Sequence, residues 1–218
     1  MPRYRHAAAT ESLLRSAGIL PVITVDSIEQ ARRLASALLD GGLTSLELTL
    51  RTPVALDAIS ALKVALPDIV IGAGTVLDAQ QMQQAIDAGA DFLVTPGTTP
   101  VLAAALAESP IPVVPGGATP SEFLALMALG FSACKLFPAT AVGGLAMLKG
   151  LAGPMPQLLL CPTGGIGEAN AAEFLAQPNV ACIGGSWMVP KAWLEAGDFD
   201  RIRDASRDAA ALLVQSRP

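Results

Sequence analysis

The sequence predicts a (β/α)8 barrel, an α/β fold formed by residues 1–218 as a single domain, and three observations carry that expectation. A short β-rich apolar run, a turn rich in Gly, Pro or Thr, an amphipathic helical stretch and a Gly-containing stop recur about eight times, roughly every 20 to 26 residues. The 218 residues, 52% hydrophobic and 15% charged, can fill one sizeable core without a second domain. Strand signals alternating with helix signals favour a parallel sheet over an antiparallel sandwich, with an open doubly wound sheet as the alternative architecture.

The first element is a short N-terminal amphipathic helix around "ESLLRSAG". Candidate strands follow at 19–25, 43–50, 69–73, 91–94, 111–114, 131–136, 157–161 and 180–183. Helix starts are marked by capping-box patterns at Ser27 with Gln30 and Thr119 with Glu122. Thr52-Pro53, Thr99-Pro100 and Thr119-Pro120 each place an N-cap before an N1 proline. Gly41-Gly42, Gly89 and Gly130 sit where helices need a left-handed stop, so they read as structural. The last helix, 199–215, carries Ile202, Ala205, Ala209, Leu212 and Leu213 at three- and four-residue spacing, a single core-facing stripe.

Composition excludes several functions. A net charge of -5 with no basic stripe argues against nucleic acid or an anionic membrane surface. Apolar runs such as "VLAAALA" fall far short of a membrane span, and the N-terminus has no apolar targeting region, so a cytoplasmic setting is expected. Cys134, Cys161 and Cys182 lack metal-ligand or redox spacing and read as buried apolar residues. The one histidine, His6, lies in an N-terminus expected to fray, so no metal is expected. "GAGTVL" lacks the third glycine of a dinucleotide fingerprint, and no cofactor is expected.

Barrel enzymes place their chemistry at the carboxyl ends of the strands. In "LTSLELTLRT", strand alternation puts Leu46, Leu48 and Leu50 on one face and Ser45, Glu47, Thr49 and Arg51 on the other, which must face the barrel interior. The same parity in "FSACKLFPA" turns Ala133, Lys135 and Phe137 inward. A lysine sheltered beside the Arg51 guanidinium and apolar walls has its charged form disfavoured by desolvation and by like charge. The neutral amine attacks a carbonyl, and the resulting iminium acts as an electron sink for breaking an adjacent carbon–carbon bond. Glu47 is the natural proton shuttle, although an ion pair of purely structural role accounts for it as well. Arg51 offers the planar fork that fits a carboxylate, pointing to a 2-oxo acid. "CPTGGIGEAN" and "IGGSW" follow the seventh and eighth strands, where barrels build phosphate sites from backbone N–H groups. A phosphate-binding isomerase or epimerase using Glu47 as base and Lys135 as an electrostatic clamp is the alternative activity, and a non-catalytic ligand-binding barrel is a third.

These residues resemble the aldolases that act on 2-keto-3-deoxy-6-phosphogluconate (KDPG) and 4-hydroxy-2-oxoglutarate (KHG), along nearly the whole chain. The resemblance rests on "PVITV", "LELTLRT", "IGAGTVL", "VTPG", "CKLFPA", "CPTGGI" and "IGGSWMVP", in the family's order and spacing, with "PGGATPSEF" and "TAVGG" departing from the pattern. It implies a class I aldolase that yields pyruvate and glyceraldehyde 3-phosphate, or pyruvate and glyoxylate. It further implies Lys135 as the Schiff-base residue and Glu47 as acid and base. Arg51 and Thr75 would hold the pyruvoyl end, with Pro96 and Phe137 as walls. Thr163, Gly164, Gly165, Gly185 and Ser186 would hold the phosphate end, in a homotrimer.

Overall fold

The computed structural model describes residues 3–216. Among the described residues nine short strands form: β1 Ile19–Ile23, β2 Ser45–Thr49, β3 Val70–Gly74, β4 Phe92–Val94, β5 Val113–Val114, β6 Gly116–Gly117, β7 Ala133–Leu136, β8 Leu159–Pro162 and β9 Ile183–Gly185. All the strand pairs are parallel. Helices α1 Ala7–Ala17, α2 Ile28–Asp40, α3 Ala55–Ala65, α4 Ala79–Asp87, α5 Pro100–Ala107, α6 Pro120–Ala128, α7 Gly144–Ala152, α8 Glu168–Leu175, α9 Lys191–Ala196 and α10 Phe199–Ser216 alternate with them. The sheet curls into a barrel of two hydrogen-bonded arcs, β5-β4-β3-β2-β1-β9 and β6-β7-β8, joined on the β8–β9 side by the bridges Leu160–Val180 and Thr163–Gly184.

Strand alternation divides the core into two layers. Leu46, Leu48, Cys134 and Leu136 pack outward with helix residues such as Leu34, Leu38, Ile59 and Ile202. Leu20, Phe92, Val94, Val114, Ala133 and Cys161 fill the barrel interior, where Leu14 and Ala17 of α1 join them. Ser132, just before β7, donates to Glu11 of α1, so α1 lies across the amino-terminal ends of the strands. That leaves the carboxyl ends open for a ligand.

The fifth barrel strand differs from the expected 111–114. Pro115 has no N–H to give a ladder, and the strand breaks there into β5, paired with β4, and β6, paired with β7. The break is stitched by side chains: Gly116 N–H donates to Thr95 Oγ1 at 2.8 Å, and Thr98 Oγ1 donates to the Gly116 carbonyl at 2.8 Å. The eighth strand begins at Ile183, later than expected, with Val180 keeping only an isolated bridge.

Helix caps follow the sequence at Thr99 and Thr119, the latter a full capping box with Glu122. At Ser27 the hydroxyl accepts from Gln30 N–H, while Gln30 reaches back to Asp26. Thr52 does not cap: its hydroxyl donates to the Val25 carbonyl at 2.8 Å, and α3 starts only at Ala55. The expected fraying around His6 is also overturned. Tyr4 is buried, stacks on Phe131 at 4.4 Å and accepts from Val113 N–H at 2.6 Å, and the His6 ring lies 5.9 Å from the Tyr4 ring.

Candidate active site

β2 and β7 face each other across the interior, and their inward side chains meet. Lys135 Nζ lies 3.1 and 3.2 Å from the two Glu47 carboxylate oxygens, with both residues under 5% exposed. Each charge offsets the other's desolvation, as a buried pair requires. A Cβ at Gly74 of β3 would collide with the Glu47 carboxylate, so glycine makes room for the acid on the neighbouring strand. Phe137, half-buried just beyond β7, presents its ring 5.4 Å from the Lys135 ammonium.

The charged group in contact with the amine is the Glu47 carboxylate. Leu50 N–H still donates to the Gly74 carbonyl, but Arg51 lies in the turn beyond and is exposed. No protein carboxylate pairs with Arg51 among the described residues. Its side chain lines a cavity of about 500 Å³ together with Val22, Thr24 and Ser186. Arg51 and Ser186 therefore line one cavity, whose lining does not include Lys135 or Glu47.

The glycine-rich turn after β8 is held open by defined contacts. Gly164 and Gly165 have φ of 100° and 76°, a region that side chains rarely enter. Thr140 donates through both its N–H (3.1 Å) and its hydroxyl (3.2 Å) to the Gly164 carbonyl. Asn170 donates to the Gly165 carbonyl at 3.1 Å and accepts from Gly167 N–H at 2.9 Å. Thr163 is buried, and its bridge to Gly184 sets this turn beside the Gly185-Ser186 segment that ends β9.

Thr75 follows β3 with φ of 61°, unusual for a β-branched residue and costing on the order of 1–3 kcal/mol. Pro96 is half-buried after β4, against the Gly116 backbone.

Several site neighbours escaped the sequence argument. Cys161 faces inward on β8, in register with Lys135. A hydrogen bond with Cys182 pulls its thiol below the usual range, helped by the Lys135 ammonium and Thr163, against burial and Glu47. Cys134, pointing to the outer layer, is pushed up by burial instead. Inward parity could have found Cys161, and an Asn three residues after the Gly167 cap could have found Asn170. Among the described residues no three His, Cys, Asp or Glu side chains gather as metal ligands, and no helix is long and apolar enough to cross a membrane.

A buried lysine and carboxylate inside a barrel suit Schiff-base chemistry, and the relatives mark the chain as a class I aldolase, a carbon–carbon lyase. The sequence model of the family described as "KDPG and KHG aldolase" matches residues 10–205. The chain belongs to that family. It is 47% identical over 201 residues to the KHG/KDPG aldolase of Escherichia coli, covering 92% of this chain and 94% of that protein. It is 45% identical over 210 residues to the 2-dehydro-3-deoxy-phosphogluconate aldolase of Pseudomonas aeruginosa, covering 96% of each. Among solved structures, the KDPG aldolase of Legionella pneumophila, with pyruvate captured at low pH as a covalent carbinolamine intermediate, superposes with a TM-score of 0.89 at 42% identity. That match covers 91% of this chain and 97% of the other.

Proposed function

We propose that the protein cleaves 2-keto-3-deoxy-6-phosphogluconate to pyruvate and glyceraldehyde 3-phosphate through a Schiff base on Lys135. The observation that carries the proposal is the Lys135–Glu47 contact at 3.1 Å, buried inside the barrel. Glu47 takes a proton from the Lys135 ammonium, and the free amine attacks the C2 carbonyl of the substrate to give a carbinolamine. Glu47 returns a proton to the departing hydroxyl, which leaves as water and generates the iminium. Glu47, through a water, then removes the C4 hydroxyl proton. The C3–C4 bond breaks, its electron pair enters the iminium to form an enamine, and the aldehyde leaves. Protonation at C3 and hydrolysis release pyruvate and restore the amine.

Arg51 and Thr75 hold the pyruvoyl carboxylate region, with Pro96 and Phe137 as walls. Phe137, close to the ammonium, also limits water around the amine. The strained backbone at Thr75 suits a residue positioned for a ligand rather than for local comfort. Thr163, Gly164, Gly165, Gly185 and Ser186 hold the phosphate through amide and hydroxyl donors, which answers the shortage of basic residues. The same machinery cleaves 4-hydroxy-2-oxoglutarate to pyruvate and glyoxylate, an extension supported by the double name of the E. coli relative. The setting inferred is cytoplasmic and the working form a homotrimer.

Borohydride trapping with pyruvate tests the core of this reading. The reduced adduct should appear on the peptide containing Lys135, and Lys135→Ala should abolish both adduct and pyruvate release. Full activity in Lys135→Ala, or proton exchange into a sugar phosphate without an adduct, would favour the isomerase that the Glu47–Lys135 ion pair would also suit.

A further inference from the structure

Thr24 lies one residue past β1, and its hydroxyl sits 2.8 Å from that of Thr49 on β2. Thr49 is fully buried and donates its proton to the Ile23 carbonyl at 3.0 Å. A hydroxyl has one proton and two lone pairs. With the Thr49 proton committed to a carbonyl, the short contact between the two hydroxyls is made by the Thr24 proton. Thr24 Oγ1 therefore meets the cavity as a hydrogen-bond acceptor, whereas an anion site requires donors. Thr24 is exposed and lines the 500 Å³ cavity that holds Arg51 and Ser186.

Strand order gives this acceptor its place along a ligand. β1 runs between β2, which Arg51 follows, and β9, which Ser186 follows. A linear substrate with its carboxylate toward Arg51 and its phosphate toward Ser186 must cross β1 with the carbons between them. In 2-keto-3-deoxy-6-phosphogluconate the hydroxyl nearest the phosphate in that stretch is on C5, beyond the bond that breaks. We propose that Thr24, oriented by Thr49, accepts a hydrogen bond from this distal hydroxyl and so determines specificity for hydroxylated over deoxygenated chains. The inference rests on the substrate reading above and adds to it a residue outside the catalytic pair and the anion-holding groups.

The test crosses a substitution with a substrate change. The ratio of kcat/KM for the natural substrate to that for its 5-deoxy analogue is measured in the wild type, Thr24→Val and Thr24→Ser. The wild type should prefer the hydroxylated substrate by about tenfold. Thr24→Val should treat the two alike, and Thr24→Ser should restore the preference. The rate of borohydride trapping with pyruvate, which has no such hydroxyl, should be unchanged in all three. An equal loss on both substrates, or an unchanged preference in Thr24→Val, would overturn the proposal. Absence of a pyruvate adduct in the wild type would instead overturn the Schiff-base reading, so the two failures are separable.

Discussion

Glu47 and Lys135 cannot be exchanged independently, because each is the other's counter-charge inside the barrel. Glu47→Gln keeps the shape but leaves an ammonium buried without its partner. It should lower stability by about 3 kcal/mol in urea denaturation and reduce pyruvate release at least about a hundredfold. The paired change Lys135→Met with Glu47→Leu should recover most of the stability and none of the turnover, which separates folding from chemistry. The inward aim of both residues was legible in the sequence because alternation along a strand is a local property. The position of Arg51 was not, since parity assigns a face and says nothing about how far a turn carries the next side chain. The Thr24–Thr49 pair was hidden for a related reason: it depends on the parallel register that sets Val22 opposite Glu47.

At the level of single elements, β3 is shaped by its neighbour. Gly74→Ala would drive a methyl into the Glu47 carboxylate. Turnover should fall at least about tenfold with the fold retained, because even a small displacement of a catalytic group is costly; circular dichroism alongside a pyruvate-release assay checks both halves. At the start of α6, Glu122 is held below the usual carboxylate range, first by the Ala118 N–H and then by Thr119, with burial acting against them. A lowered folded-state value means that the stabilisation is complete above the unfolded value of about 4.3 and fades as pH falls through the folded one. The melting temperature of the wild type should therefore exceed that of Glu122→Gln at pH 6, with the gap closing below about pH 4. This cap was readable from Thr119 and Glu122 alone. The similar signature at Thr52 misled because a tertiary acceptor, the Val25 carbonyl, took its hydroxyl. The break at Pro115 was equally out of reach, since a Pro-Gly-Gly run looks like a turn until Thr95 and Thr98 are seen to stitch it.

Across the whole molecule, the amino-terminal end of the barrel is closed by a latch whose hub is Tyr4. Removing its hydroxyl in Tyr4→Phe leaves the buried Val113 N–H without its acceptor. Stability should drop by about 1–3 kcal/mol in urea unfolding while kcat stays unchanged, because the latch and the mouth lie at opposite ends of the strands. The repeat of strand and helix made the barrel legible, but its closure depends on contacts between residues far apart in the chain, such as Tyr4 with Val113. The division of the barrel at Pro115 also has a mechanical meaning. Lys135 belongs to the arc β6-β7-β8 and Glu47 to the arc β5-β4-β3-β2-β1-β9. The gap between nucleophile and acid is thus a distance between two sheets, set by the bonds that join them along the two seams. Thr95 and Thr98, which fasten one of those seams through the Gly116 backbone, thereby help to hold that gap.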